Sequence, residues 1–180
     1  FAPFFQNFLK QTHAANTSEE FLSYFNDVPT LFTHAIQTTE QERSTISQHG
    51  HTVIHCPISN RLLGNGALNI SQLKEQNIPF VLGTDGLSSN YTLDLFEEMK
   101  IALFLHCSEN LLPLAHQLWR SVTAEAAHAL GLNCGTIAPD YDADIIVARV
   151  EYPINDQLAI HLITQPRRID AVYIQGEKVK

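Results

Sequence analysis

The chain has 180 residues, 44% of them hydrophobic, and a formal net charge of −8 from 11 basic and 19 acidic side chains. That length allows one packed core, or one domain with an appendage. An acidic balance with no basic cluster argues against nucleic acid and membranes as partners, and no apolar run reaches the roughly 18 residues of a membrane span. Two amphipathic pieces open the chain, around Phe4–Leu9 and Ser18–Phe25, with Ser18 placed to cap the second and Glu19 and Glu20 in its first turn. A strand over Thr30–His34 follows. Thr39 to Glu42 then starts a helix that runs to about His49 and stops at Gly50. The next strand is Thr52–Cys56, followed by Pro57 and a Ser/Asn/Gly-rich loop from Ser59 to Gly66. A helix near Asn69–Gln76 leads to strand Pro79–Thr84, a second polar loop from Gly86 to Asn90, and a long helix over Leu93–Cys107. Helices near Leu114–Ser121 and Ala124–Leu130 follow, the last capped by Thr123 and ended by Gly131.

Strands alternating with helices predict parallel pairing through right-handed crossovers. Loops after the strands are rich in Gly, Ser and Asn, whereas those before them are short. The C-terminal rim is therefore the expected functional side of an α/β barrel arrangement. Beyond Gly135 the pattern changes: strands Ala143–Val150 and Ile169–Ile174, a helix Gln157–Thr164 between them, and a terminal strand at Lys178–Lys180 predict a small antiparallel appendage. The expected division is 1–134 and 135–180.

Asp85 ends the apolar run Phe80-Val81-Leu82 between Gly83 and Gly86, where an unpaired carboxylate faces a large desolvation cost. His34 ends an upstream run in the same way, and an imidazole with a carboxylate suits either a first-row metal or the activation of water. His55 and Cys56 end the strand between them. Cys56 has no adjacent base to lower its pKa, so an inert buried thiol is expected. Ser59 and Asn60 have two open readings, as plain turn chemistry or as groups holding the rim together over a substrate. His49 and His51 are expected to be exposed turn histidines: His51 precedes its strand and lies about 13 Å from His55, toward the opposite rim. The remaining histidines are expected at the surface or core edge. Three widely spaced cysteines without a CxxC pattern predict reduced thiols of a cytoplasmic protein.

His55-Cys56-Pro57-x-Ser59-Asn60-x-x-Leu63-Gly64, then Gly83-Thr84-Asp85-Gly86, with Thr33-His34 upstream, resembles the amidohydrolase superfamily, in its deaminase and triazine-hydrolase branch. Thr123-x-x-x-Ala127-x-x-Leu130-Gly131, Gly135-Thr136-Ile137, Asp142-Ala143-Asp144-Ile145 and Val172-x-x-x-Gly176-x-x-Val179 resemble it too. The resemblance implies a (β/α)8 barrel beside a small β-sandwich. In those terms residues 1–134 are the C-terminal portion of the barrel, strands 6–8, and residues 135–180 are the C-terminal part of the sandwich. It implies one zinc or iron ion with Asp85 as a ligand. His34 would steer the hydroxide or substrate, and His55, Ser59 and Asn60 would contact the substrate. The other metal ligands of the family have no counterpart here and are expected in an N-terminal part, as the start at Phe1 without an initiator Met also suggests. The implied reaction is hydrolytic deamination of an amino-substituted purine or similar heterocycle. The alternatives are a triazine-type chlorohydrolase or aminohydrolase, and a non-catalytic structural fragment. A homo-oligomer of the full-length chain is expected.

Overall fold

Strands β1 (Leu31–Thr33), β2 (Thr52–His55) and β3 (Phe80–Leu82) form a parallel sheet in that order, in the computed structural model, which describes residues 5–11 and 14–180. Phe4 of the first expected helix and His13 lie outside the described residues; Phe5–Leu9 forms a short π-helical turn. Helix α1 (Ser18–Ser23) precedes β1, and α2 (Glu40–Gln48) crosses from β1 to β2. After β2 come α3 (Pro57–Leu62) and α4 (Ile70–Glu75), and after β3 come α5 (Leu95–Leu105), α6 (Leu111–Ser121) and α7 (Ala124–Ala129). A second, antiparallel sheet joins β4 (Ile145–Arg149), β5 (Arg168–Ile174) and β6 (Glu177–Lys178), with α8 (Leu158–Thr164) between β4 and β5. Among the described residues no helix is long and apolar enough to cross a membrane.

The helix ends follow local chemistry, with three corrections. Thr17, not Ser18, caps α1: its hydroxyl accepts from Glu20 N–H while the Glu20 carboxylate accepts from Thr17 N–H. Thr39 and Glu42 make the same reciprocal pair on α2. Thr123 stands at the N-cap of α7 as expected, but its hydroxyl makes no capping bond and donates to Trp119 O at 2.7 Å. Residues 57–62, expected as loop, are helical. Pro57 sits in the first turn, where its missing N–H costs nothing and its fixed φ favours the helix.

Side chains alternate across the strands, and this decides what faces what. The register aligns Phe32, Val53 and Phe80, and all three pack into the main core. That core fills the space under the helices with Leu73, Met99, Leu103, Leu114, Leu118 and Ile163. Burying each such side chain stabilises the fold by roughly 1.5–3 kcal/mol. Thr33, Ile54 and Val81 align on the opposite face. Gly83 lies close to that face: a Cβ there would meet Ile54 Cγ2 at 2.7 Å and Cys56 Sγ at 3.5 Å.

The second sheet is tied to the first through α8. Trp119 Nε1 donates to Ala159 O at 3.0 Å, and the Arg167 guanidinium lies 3.5 Å over the Phe96 ring. Gly135, at the bend toward β4, has φ +80, and a Cβ there would stand 2.7 Å from Thr123 O and 2.9 Å from Ala127 Cβ. Gly135→Ala is therefore expected to destabilise the protein by about 2–4 kcal/mol. Urea unfolding checks this, and an unchanged midpoint would refute it.

Candidate active site at the strand ends

His34 and Asp85 follow β1 and β3, and both adopt left-handed backbone, with φ +73 and +59. Such conformations are uncommon for residues with a side chain and persist only where surroundings enforce them. The enforcement is visible on both. His34 N–H donates to Ile54 O at 2.8 Å, continuing the ladder one step past β1. Asp85 Oδ1 accepts from Gly86 N–H at 2.7 Å. The turns bring His34 Nε2 to 3.6 Å from Asp85 Oδ2, with both side chains about one-third exposed.

Helix α3 supplies the partners that orient the pair. Ser59 Oγ donates to Asp85 Oδ2 at 2.7 Å and lies 3.0 Å from Ser89 Oγ. Asn60 Oδ1 accepts from His34 Nδ1 at 2.8 Å. An amide oxygen only accepts, so His34 Nδ1 carries a proton and Nε2 is the nitrogen turned toward Asp85. Ser59 and Asn60 are both fully buried. Of the two readings left open for them, the geometry supports the one in which they hold the rim together.

Hydrogen bonds from Ser59 and Gly86 hold the Asp85 carboxyl below the usual carboxylate range, with smaller help from Ser89 and His34. Burial, reinforced by the charges of Asp85 and Glu98, pushes the Cys56 thiol up to about 12, so the expected inert thiol is found.

His55, expected at the substrate, does not join this group. It is fully buried, and alternation puts it on the Val53 face, under the helices. Its Nε2 lies 3.1 Å from Nε2 of His106, the residue that ends α5, and its Nδ1 has no partner among the described residues. Burial lowers its pKa to about 3, with the neighbouring His106 and His34 adding to the effect. His51, expected to be exposed, is fully buried; its Nδ1 accepts from Thr30 N–H at 3.1 Å and its ring meets Phe32 edge-on. It is not part of the strand-end group. His106, expected at the surface or core edge, is buried against His55.

Sequence reasoning missed Glu98, a carboxylate with no exposure to solvent. A signal existed: Glu98 shares the apolar stripe of α5 with Met99, Ala102 and Leu103.

Asp85 and His34 offer one oxygen and one imidazole donor, a chemistry that suits zinc or iron. Among the described residues no group of three or more His, Cys, Asp or Glu side chains is placed to hold a metal ion. Two donors are fewer than the about four that complete a zinc shell. An open cleft of about 590 Å³ beside β1 takes in His34, Phe32 and Phe21 but not Asp85.

The amidohydrolase family profile matches residues 5–179. An aminodeoxyfutalosine deaminase from a Nitratiruptor species is 41% identical over 180 residues, covering 99% of this chain and 44% of that protein. An adenosine deaminase from Helicobacter pylori is 30% identical, covering 99% and 45%. The crystal structure of Helicobacter pylori aminofutalosine deaminase in complex with methylthio-coformycin superposes with a TM-score of 0.92 at 29% identity, over 99% of this chain and 45% of that one. The chain thus spans less than half the length of these relatives. With a family profile running over almost all of its residues, and the strand-end carboxylate and imidazole in place, this chain belongs to the amidohydrolase family.

Proposed function

We propose that these residues form the C-terminal part of a metal-dependent aminohydrolase that deaminates an amino-substituted purine nucleoside, with aminodeoxyfutalosine as the first candidate. The single observation that carries this is the His34–Asp85 pair, set by Asn60 and Ser59, in a chain 41% identical to an aminodeoxyfutalosine deaminase. In this reading β1–β3 are strands 6–8 of a (β/α)8 barrel. Residues 1–134 and 135–180 are its two parts, the second contributing to a β-sandwich. The enzyme acts in the cytoplasm as a homo-oligomer on a small-molecule substrate, without nucleic acid or membrane.

Asp85 would be one ligand of a zinc or iron ion, with the other ligands supplied by an N-terminal half like that of the relatives. Such an ion lowers the pKa of a water toward ~7. The chain's own residues do the rest. Asp85, kept ionised by Ser59 and Gly86, accepts the proton of the attacking water. The oxygen adds to the ring carbon that bears the amino group, that carbon–nitrogen bond breaks, and the proton leaves with ammonia. His34, fixed by Asn60 through Nδ1, turns Nε2 toward the developing tetrahedral centre, where a proton on that nitrogen stabilises its charge.

The test is ammonia release by the full-length enzyme, meaning this chain joined to the N-terminal half that its relatives carry, loaded with zinc. A panel of 6-aminopurine nucleosides is the substrate set. His34→Ala is expected to lower kcat about 10²-fold with a smaller change in KM. A zinc-loaded enzyme inert toward every nucleoside would refute the reading.

A further inference from the structure

Glu98 lies on α5 with no solvent exposure and no ion-pair partner among the described residues. Burying a carboxylate costs several kcal/mol unless hydrogen bonds offset it, and an apolar side chain of similar size serves packing as well or better. Packing alone therefore gives no reason for a carboxylate at this point of an apolar stripe.

Its contacts give one. Oε2 accepts from Ile58 N–H, in the first turn of α3, at 3.1 Å. Oε1 accepts from Asn90 Nδ2 at 2.6 Å. The same Asn90 nitrogen donates to Thr84 O at 2.6 Å, and Asn90 Oδ1 accepts from Thr92 N–H at 3.1 Å. One buried group thus holds two pieces of chain. The first is α3, which carries Ser59 and Asn60, the partners of Asp85 and His34. The second is the loop from Thr84 to Thr92, which carries Asp85 itself and Ser89.

We propose that Glu98 is a positioning residue of the active site: it locks α3 against the loop after β3 and so fixes the spacing of Asp85 and His34, which it does not touch. This rests on the catalytic roles assigned above to those two side chains. Burial raises the Glu98 pKa, while the Ile58 and Asn90 hydrogen bonds act in the opposite direction, favouring the ionised form that accepts at both oxygens. Two acceptors are essential to the lock. A glutamine of the same volume offers one acceptor and one donor, so it can serve Ile58 N–H or Asn90 Nδ2 but not both.

The experiment compares the full-length, metal-loaded enzyme with its Glu98→Gln, Asn90→Ala and double variants. Steady-state kinetics and residue-resolved amide exchange are the two readouts. Glu98→Gln is expected to lower kcat about 10–100-fold, the range for groups that orient reactive side chains, with KM within about threefold. Exchange is expected to accelerate about tenfold or more at Ile58–Arg61 and Gly86–Asn90, and to stay unchanged in α6. The double variant is expected to lose less than the product of the single losses, because both act on one lock. A kcat within about twofold of wild type, or exchange rising uniformly through α6 as in general destabilisation, would overturn the proposal. Should the unaltered enzyme deaminate nothing, the reaction assigned above fails, and the exchange pattern by itself decides whether the lock exists.

Discussion

Asp85→Asn in the full-length, zinc-loaded enzyme is expected to lower kcat about 10³-fold, within the range for loss of a general base. The substitution keeps the shape of the side chain and removes its charge. The carboxylate now receives the Ser59 hydroxyl on Oδ2 and the Gly86 N–H on Oδ1. An amide has one acceptor oxygen, so one of those donors loses its partner as well. Stability should change little, because the Asp85 side chain is 31% exposed and water replaces much of what the carboxylate supplied. Metal analysis of the variant separates the two causes of a slow enzyme. Stoichiometric zinc with low kcat assigns the loss to proton transfer, and lost zinc assigns it to ligation. Activity within about tenfold of wild type at full zinc occupancy would remove Asp85 from the mechanism.

Acid should destabilise the fold sharply through His55. The folded protein holds this imidazole neutral down to about pH 3, whereas an unfolded histidine takes its proton near the ordinary value of 6.5. Between those limits the unfolded chain binds more protons, so stability rises with pH and is lost as pH falls. At about 1.36 kcal/mol per unit, the loss over the first two units is about 2–3 kcal/mol. Other shifted groups modify this. His106, also shifted down by burial, adds to it with the same sign. Asp85 and Glu109, both held below the usual carboxylate range, add only at lower pH. Glu98, shifted upward, works in the opposite direction. Urea unfolding of wild type and His55→Phe at about pH 7, 5.5 and 4.5 measures the effect, since the phenyl ring fills the site without titrating. The variant is expected to lose about 2 kcal/mol less than wild type on acidification. Equal pH dependence in both would show that His55 is readily protonated in the folded state.

The alternation of strand and helix, the capping box at Thr39 and the polar loops after each strand were legible in the residues, because they depend on local chemistry that a linear reading captures. Asp85 and His34 were legible for a related reason. A charged or titratable group that ends an apolar run stands out against its neighbours, and the end of a parallel strand gives it a fixed place on the rim. Ser59 and Asn60 were legible as a pair but not as to their role. Turn residues and rim braces look alike until the distances to Asp85 and His34 are known.

Other assignments depended on neighbours far away in the chain. His55 ends its strand as His34 does, yet one step of the two-residue alternation turns it toward Val53 and the helices, where His106 from 51 residues away meets it. His51 looks like a turn residue, but Phe32 and Thr30 enclose it. Glu98 would be an ordinary charged residue of a helix if its apolar stripe faced water. Only the packing of α5 against α3 and the loop after β3 makes it the buried acceptor of two hydrogen bonds. The sequence by itself therefore determined the order of elements and the placing of a carboxylate and an imidazole at strand ends, through local propensity and the sharp boundary between apolar run and polar tip. The tertiary structure decided which polar side chains serve that pair and which are sealed away from it. Burial and hydrogen-bond partnership arise between segments that are distant in sequence, so no local pattern encodes them.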